Sequence, residues 1–215
     1  MIECKVKKKY GDKLVLDIDR NFEEGKIYAI IGNNGSGKTT LLKALSKQIK
    51  YEGNIVAPKK CVYMTQTSYN FNFSIKHNVL LFIGKKNIEK QKEADRMLQE
   101  IGLGPLEKKN ANKLSGGEGQ KTALVRTLMQ DCDLLLLDEP MSAMDYSSVS
   151  IAEKLIKEYQ EKTGCTVFIV THSVSQAESI SDEIIFLDNG IIVESGKDIT
   201  KSPSTSLLQT YLKTL

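Results

Sequence analysis

Gly32-Asn33-Asn34-Gly35-Ser36-Gly37-Lys38-Thr39-Thr40 fits Gly-x-x-x-x-Gly-Lys-Ser/Thr, and both of its flanks fit as well. Ahead of it, Ile27-Tyr28-Ala29-Ile30-Ile31 reads as a buried strand; behind it, Leu41, Leu42, Ala44 and Leu45 open a helical pattern. The glycines let the backbone curl until successive N–H groups point into one concavity, at a helix N-terminus that already carries positive dipole. A triphosphate fits there. Lys38 is placed to reach the β- and γ-phosphates, and the Thr39 hydroxyl to ligate Mg²⁺. A turn that merely joined strand to helix would have no need of Lys-Thr at that offset.

Outward from this loop, the chain of 215 residues suits a single domain over 1–215, or one with a small subdomain. A net charge of +3 is too small to argue for nucleic acid. Apart from Arg20, Arg96 and Arg126 the basic residues are lysines, so the run Lys5, Lys7, Lys8, Lys9 reads as a solvated strand edge. Cys4, Cys61, Cys132 and Cys165 form no Cys-x-x-Cys pair, which argues against a zinc site or a disulfide scaffold and for reduced cytosolic thiols. The first residues do not read as a signal peptide, and none is expected. The longest apolar runs, Val79 to Ile83 and Leu134 to Leu137, fall far short of the ~20 residues of a membrane helix.

Short strands are expected at Ile2 to Val6, Leu14 to Ile18 and Ile27 to Ile31. A helix to about Ile49 follows, with Gly53 punctuating the return and Cys61 to Met64 as another strand. A helical reach from Ser74 to Phe82, an amphipathic helix from Ile88 to Ile101 and stops at Gly102 and Gly104-Pro105 predict a helical subdomain inserted in the sheet domain. It covers roughly 66–113, or about 66–130 once the next helix is included. That helix opens at Leu114-Ser115-Gly116-Gly117-Glu118. Leu134 to Leu137 has the uninterrupted apolar character of a central parallel strand. A helix from about Ser147 to Lys162, strands at Thr166 to Val170, Ile184 to Leu187 and Ile191 to Glu194, and a last helix from Leu207 to Leu212 complete the chain. Strands alternating with helices imply an α/β fold, a P-loop NTPase core with a mostly parallel sheet and an antiparallel portion near the N-terminus.

Ligands of open α/β sheets bind beyond the C-terminal strand ends, and three strand ends deliver Gln66, Asp138-Glu139 and His172 to the rim of the phosphate loop. Asp138 is positioned to hold Mg²⁺, directly or through water. Glu139, one residue further out, could polarise a water attacking the γ-phosphate. Ser115-x-x-Glu118 is a capping box, which by itself would only start a helix. Its paired glycines also leave N–H groups open to an anion, a second phosphate site in a chain with one nucleotide loop. One resolution is a nucleotide held by another subunit.

These residues together resemble the ATP-binding subunit of an ABC transporter. Gly32 to Thr40 matches the family's Walker A loop, Leu134 to Glu139 its Walker B strand with the catalytic glutamate, and Leu114 to Glu118 its signature motif. Gln66 matches the Q-loop, Ser142-Ala143-Met144-Asp145 the D-loop and His172 the switch histidine, all in family order between about residues 2 and 196. The resemblance implies that two subunits, identical or homologous, pair head to tail and trap two Mg-ATP between Walker A of one and Ser115-Gly116-Gly117 of the other. Gln66 would touch Mg²⁺ and report to a transmembrane permease, and His172 would contact the γ-phosphate. The subunit would then be cytoplasmic and peripheral on the inner face of the membrane.

Tyr10 fits the family's adenine-stacking aromatic, or is a packing tyrosine; His77 is expected on a helix surface. Gly119 would cost roughly 1 kcal/mol relative to alanine in a first helical turn and is explained only by close approach of another backbone. Glu107 to Lys113 lacks the glycine-bearing element typical of exporters, which points to an importer, and the chain ends too soon after its last hairpin for an appended regulatory domain. Tyr69, Phe71 and Phe73 alternate, so an extended segment would carry all three on one face, either to receive a permease helix or to fill the subdomain core. A soluble ATPase of the same fold, resembling iron–sulfur assembly factors, and a non-hydrolysing switch are the other functions this sequence fits; Glu139 speaks against the last.

Overall fold

The computed structural model describes residues 1–83 and 87–214. Among the described residues nine strands form two sheets. β1 (Ile2–Tyr10), β2 (Lys13–Phe22) and β4 (Glu52–Val56) make an antiparallel sheet in the order β2-β1-β4. The second sheet runs β5-β6-β7-β3-β8-β9, built from β3 (Ile27–Ile31), β5 (Cys61–Met64), β6 (Leu134–Asp138), β7 (Thr166–Val170), β8 (Glu183–Asp188) and β9 (Ile191–Gly196). Its strands are parallel except for the β8–β9 hairpin.

The continuous apolar runs have a simple cause. Successive side chains point to opposite faces of a strand, and both faces of this sheet are covered. Ile27, Ala29 and Ile31 enter one core layer, and Tyr28 and Ile30 the other; Leu135 and Leu137 separate from Leu134 and Leu136 in the same way. On the second layer Phe22, Tyr28 and Phe168 pack with ring centroids 5.0–5.3 Å apart. α1 (Lys38–Leu45) lies in that layer, beneath the antiparallel sheet. α2 (Ile75–Leu80), α3 (Ile88–Glu100) and α4 (Gly116–Leu128) all fall between β5 and β6 in the chain and pack on one another. α5 (Tyr146–Thr163), α6 (Val174–Ile180) and α7 (Ser206–Lys213) complete the described α-helices, with short 3-10 turns at Gly104–Leu106 and Ala111–Lys113.

Three expectations need correction, and one helix lies outside the sequence reading. β1 is the middle strand of its sheet rather than an edge, and Lys5 and Lys7 project from its face to meet Asp19 and Asp17 at 2.9 and 3.0 Å on β2. Gly53 does not end a segment but lies inside β4 with φ 101°, where a β-carbon would stand 2.2 Å from the Lys5 carbonyl. That strand escapes sequence reading because only Ile55 of its five residues is buried. α1 stops at Leu45 rather than Ile49, with Lys47 left-handed at φ 58°. α6, seven residues with little apolar periodicity, rests on the Ser173 hydroxyl accepting from the Gln176 N–H.

Candidate functional site

At the C-terminal ends of β3, β6 and β7 lies a cleft of about 510 Å³. Its walls bring together Tyr10, Asn34, Gly35, Gly37, Lys38, Thr39, Thr40, Gln66, Glu139 and His172. The phosphate loop, Gln66, Glu139 and His172 meet at one rim because the parallel strands deliver their ends to the same side, and Tyr10 reaches it from the antiparallel sheet.

Lys38, 6% exposed, donates to the carbonyls of Gly32 at 2.8 Å and Asn33 at 2.9 Å, so its own loop holds the ammonium in place. Burial pulls it below the ordinary lysine value, against the opposing carboxylates of Glu139 and Asp138. The Ser36 hydroxyl is buried with no hydrogen-bond partner. An orphaned buried hydroxyl within this loop fits an anion. The Thr39 hydroxyl donates to Asp138 at 3.2 Å, and the Tyr63 hydroxyl to the other Asp138 oxygen at 3.0 Å. Asp138 is 1% exposed, and burial raises its carboxyl above the ordinary range despite those two donors. Hydroxyl and carboxylate oxygens are the donors a hard divalent cation takes. Among the described residues no group of three or more His, Cys, Asp and Glu side chains forms a metal site, so a cation here would complete its shell with phosphate and water.

Glu139 stands beside this pair. Its carboxylate lies 2.8 Å from His172 Nε2. Its backbone is left-handed at φ 50°, held by its N–H donating to Val170 and by Gln120 Nε2 donating to its carbonyl at 3.0 Å. The Tyr10 ring is 51% exposed and lines the cleft, with the Lys8 ammonium 4.7 Å from its centroid.

Ser115-Gly116-Gly117 is not in this cleft. It opens α4, with Ser115 and Gly116 exposed, and forms the expected capping box: Ser115 Oγ accepts from the Glu118 N–H, and Glu118 accepts from the Ser115 N–H at 2.9 Å. A β-carbon on Gly117 would stand 2.7 Å from the Ala143 carbonyl, so α4 and the 142–145 loop approach too closely for a side chain. Gly119 has a different neighbour from the one expected. The Asn70 side-chain amide, not another backbone, sits 3.1 Å from where its β-carbon would be and donates to its carbonyl at 3.0 Å.

The ABC transporter family profile matches residues 15–142. The chain belongs to this family. It is 36% identical over 203 residues, 88% of its length and 95% of the relative's, to the tungstate uptake system ATP-binding protein TupC of Peptoclostridium acidaminophilum. It is 33% identical to the arginine transport ATP-binding protein ArtM of Bacillus subtilis, over 97% of each chain. Among solved structures it is similar to a dimer of the ATP-binding cassette MJ0796 in a post-hydrolysis state bound to ADP and Pi, with a TM-score of 0.79 and 26% identity over 92% of this chain and 98% of that one. The ABC fold and the ATPase class are therefore as the motifs imply.

Several groups in this ABC cassette escape sequence reading. Gln120, 3% exposed, ties Glu139 and Ser142 to α4 and accepts from the Ala143 N–H at 2.8 Å. Tyr63 supports Asp138 from the neighbouring strand. The Asn189-Gly190 turn reaches the phosphate loop, with the Gly190 N–H donating to the Ser36 carbonyl at 2.9 Å. The only sequence signal among them was Asn-Gly, which reads as a hairpin and nothing more.

Proposed function

We propose that this chain is the ATP-binding subunit of an import system, hydrolysing ATP as a head-to-tail pair to drive a separate membrane permease from the inner face of the membrane. The observation that carries the reading is the convergence of Lys38, Thr39–Asp138 and Glu139–His172 on one cleft. Loop amides and Lys38 bind the phosphates of ATP, and the exposed Tyr10 ring stacks on its base. Thr39, Asp138 and Gln66 hold Mg²⁺, which when bound neutralises phosphate charge. The Glu139 carboxylate orients a water and takes its proton, and His172 fixes that carboxylate and reaches the γ-phosphate. No described helix is long and apolar enough to cross a membrane. The transport systems to which TupC and ArtM belong favour a permease-coupled subunit over a free ATPase.

Nucleotide binding and turnover by purified protein test the assignment. Glu139→Gln should keep ATP affinity and lose hydrolysis by ~10²–10⁴, whereas Lys38→Ala should lose binding itself. Wild-type turnover in Glu139→Gln would remove Glu139 as the base.

A further inference from the structure

The opposite end of the sheet carries a group of side chains that nucleotide chemistry does not use. β6 and β7 are adjacent and parallel, with Leu134 opposite Thr166, and the Thr166 N–H donates to the Asp133 carbonyl at 2.9 Å. Cys132 stands two residues before β6 and Cys165 one residue before β7. Both enter the same core layer, where the two thiols are hydrogen-bond neighbours and the Tyr159 hydroxyl lies 3.3 Å from Cys132 Sγ. Cys165, though not Cys132, also lines a cleft of about 440 Å³ beside Pro58, Asp133 and Gly164.

We propose that Cys132 and Cys165 are a site of reversible oxidation, closing to a disulfide when the protein meets hydrogen peroxide. The Cys132 thiolate attacks one peroxide oxygen, the O–O bond breaks, and hydroxide leaves, giving a sulfenic acid. The Cys165 sulfur then attacks the Cys132 sulfur, the S–O bond breaks, and the hydroxyl departs with the Cys165 proton as water. Two thiols and one peroxide give one disulfide and two waters, and an external dithiol reverses the change. The Tyr159 hydroxyl donates to the Gln130 carbonyl at 2.6 Å, so the Cys132 thiol donates to the Tyr159 oxygen, and the hydrogen bond from Cys165 draws the Cys132 thiol below the ordinary cysteine value against its burial. The remaining cysteines differ. Burial raises Cys4 to about 12 and Cys61 to about 11, and Cys61 packs against the other core layer.

The test is peroxide treatment of the native wild-type protein, alkylation of the remaining thiols after denaturation, and peptide mapping by mass spectrometry. Two of the four thiols should disappear, in a linked Cys132–Cys165 peptide pair that dithiothreitol releases. Cys165→Ala should leave the sulfenic acid on Cys132, trapped as a dimedone adduct. Should that variant fail to fold, the wild-type map still decides. Loss of no thiols, linkage through Cys4 or Cys61, or oxidation spread evenly over the four cysteines would overturn the proposal.

Discussion

Glu139 is one of three described non-glycine residues with positive φ, and the conformation costs on the order of 1–3 kcal/mol. Its surroundings hold it there: the Val170 carbonyl takes its N–H, while Gln120 and Ser142 donate to its carbonyl. Gln120 is therefore a positioning residue for the base, reaching it from the helix that Ser115 caps. Gln120→Leu should cost about 1–3 kcal/mol in stability through the polar groups it strands. It should also lower kcat at least tenfold while ATP affinity stays within a factor of about two. A parallel loss of ATP affinity would mean that Gln120 holds the fold rather than the carboxylate. The contrast with Lys38 shows what sequence can reveal at this scale. Lys38 is legible because its spacing from the loop glycines is itself the chemistry, whereas Gln120 acts 19 residues away through a fold contact that leaves no local pattern.

Among the elements, α4 joins the site to two surfaces. At its first turn, Glu118 accepts from the Ser115 N–H and from Lys109 at 3.1 Å, and these hold its carboxyl below the ordinary glutamate range. A carboxylate depressed in the folded state contributes stability above the ordinary glutamate pKa and loses it as pH falls through the lowered value. Glu118→Gln should flatten that acid limb in pH-dependent chemical denaturation and change neutral stability by no more than about 1 kcal/mol; an unchanged limb would contradict the box as a charged one. Further along α4, Arg126 donates to Asn70 and Asn78 at 3.3 and 3.1 Å and lies 5.4 Å from the Phe71 centroid. The alternation of Tyr69, Phe71 and Phe73 predicts an extended segment, but the chain bends, with the Phe73 N–H donating back to the Phe71 carbonyl. The rings still form a row, Tyr69 on Phe71 at 5.1 Å, Phe71 on Phe73 at 6.5 Å and Phe73 on the exposed His77 at 4.5 Å. Phe71 is half-buried beneath Arg126, while Tyr69 is 67% and Phe73 43% exposed. Tyr69, not Phe71, is the ring to change. Tyr69→Ser should spare folding and basal ATPase activity and weaken assembly with the permease on the order of tenfold or more. Unaltered assembly would move the docking surface elsewhere. Periodicity located these elements within a few residues but could not show the bend, which Asn78 fixes from a buried position by bonding the backbone of Phe71 and Phe73.

At the scale of the whole molecule, one chain holds a complete phosphate loop and, outside its cleft, an exposed helix start of the kind that binds phosphate. The sheet order that gathers Gln66, Asp138 and His172 was implied by alternating strands and helices, but the separation of Ser115 from that cleft was not measurable in one dimension. The separation makes sense if Ser115-Gly116-Gly117 of one copy covers the nucleotide of another, the arrangement implied by the ABC resemblance. ATP then becomes part of the interface, and the pair should persist only while the nucleotide is intact. The most direct measurement is light scattering of Glu139→Gln with and without saturating Mg-ATP. Twice the monomer mass is expected with nucleotide and the monomer mass without it, and adding Ser115→Arg should restore the monomer while leaving ATP affinity nearly unchanged. A Glu139→Gln protein that remains monomeric under saturating Mg-ATP would contradict the account.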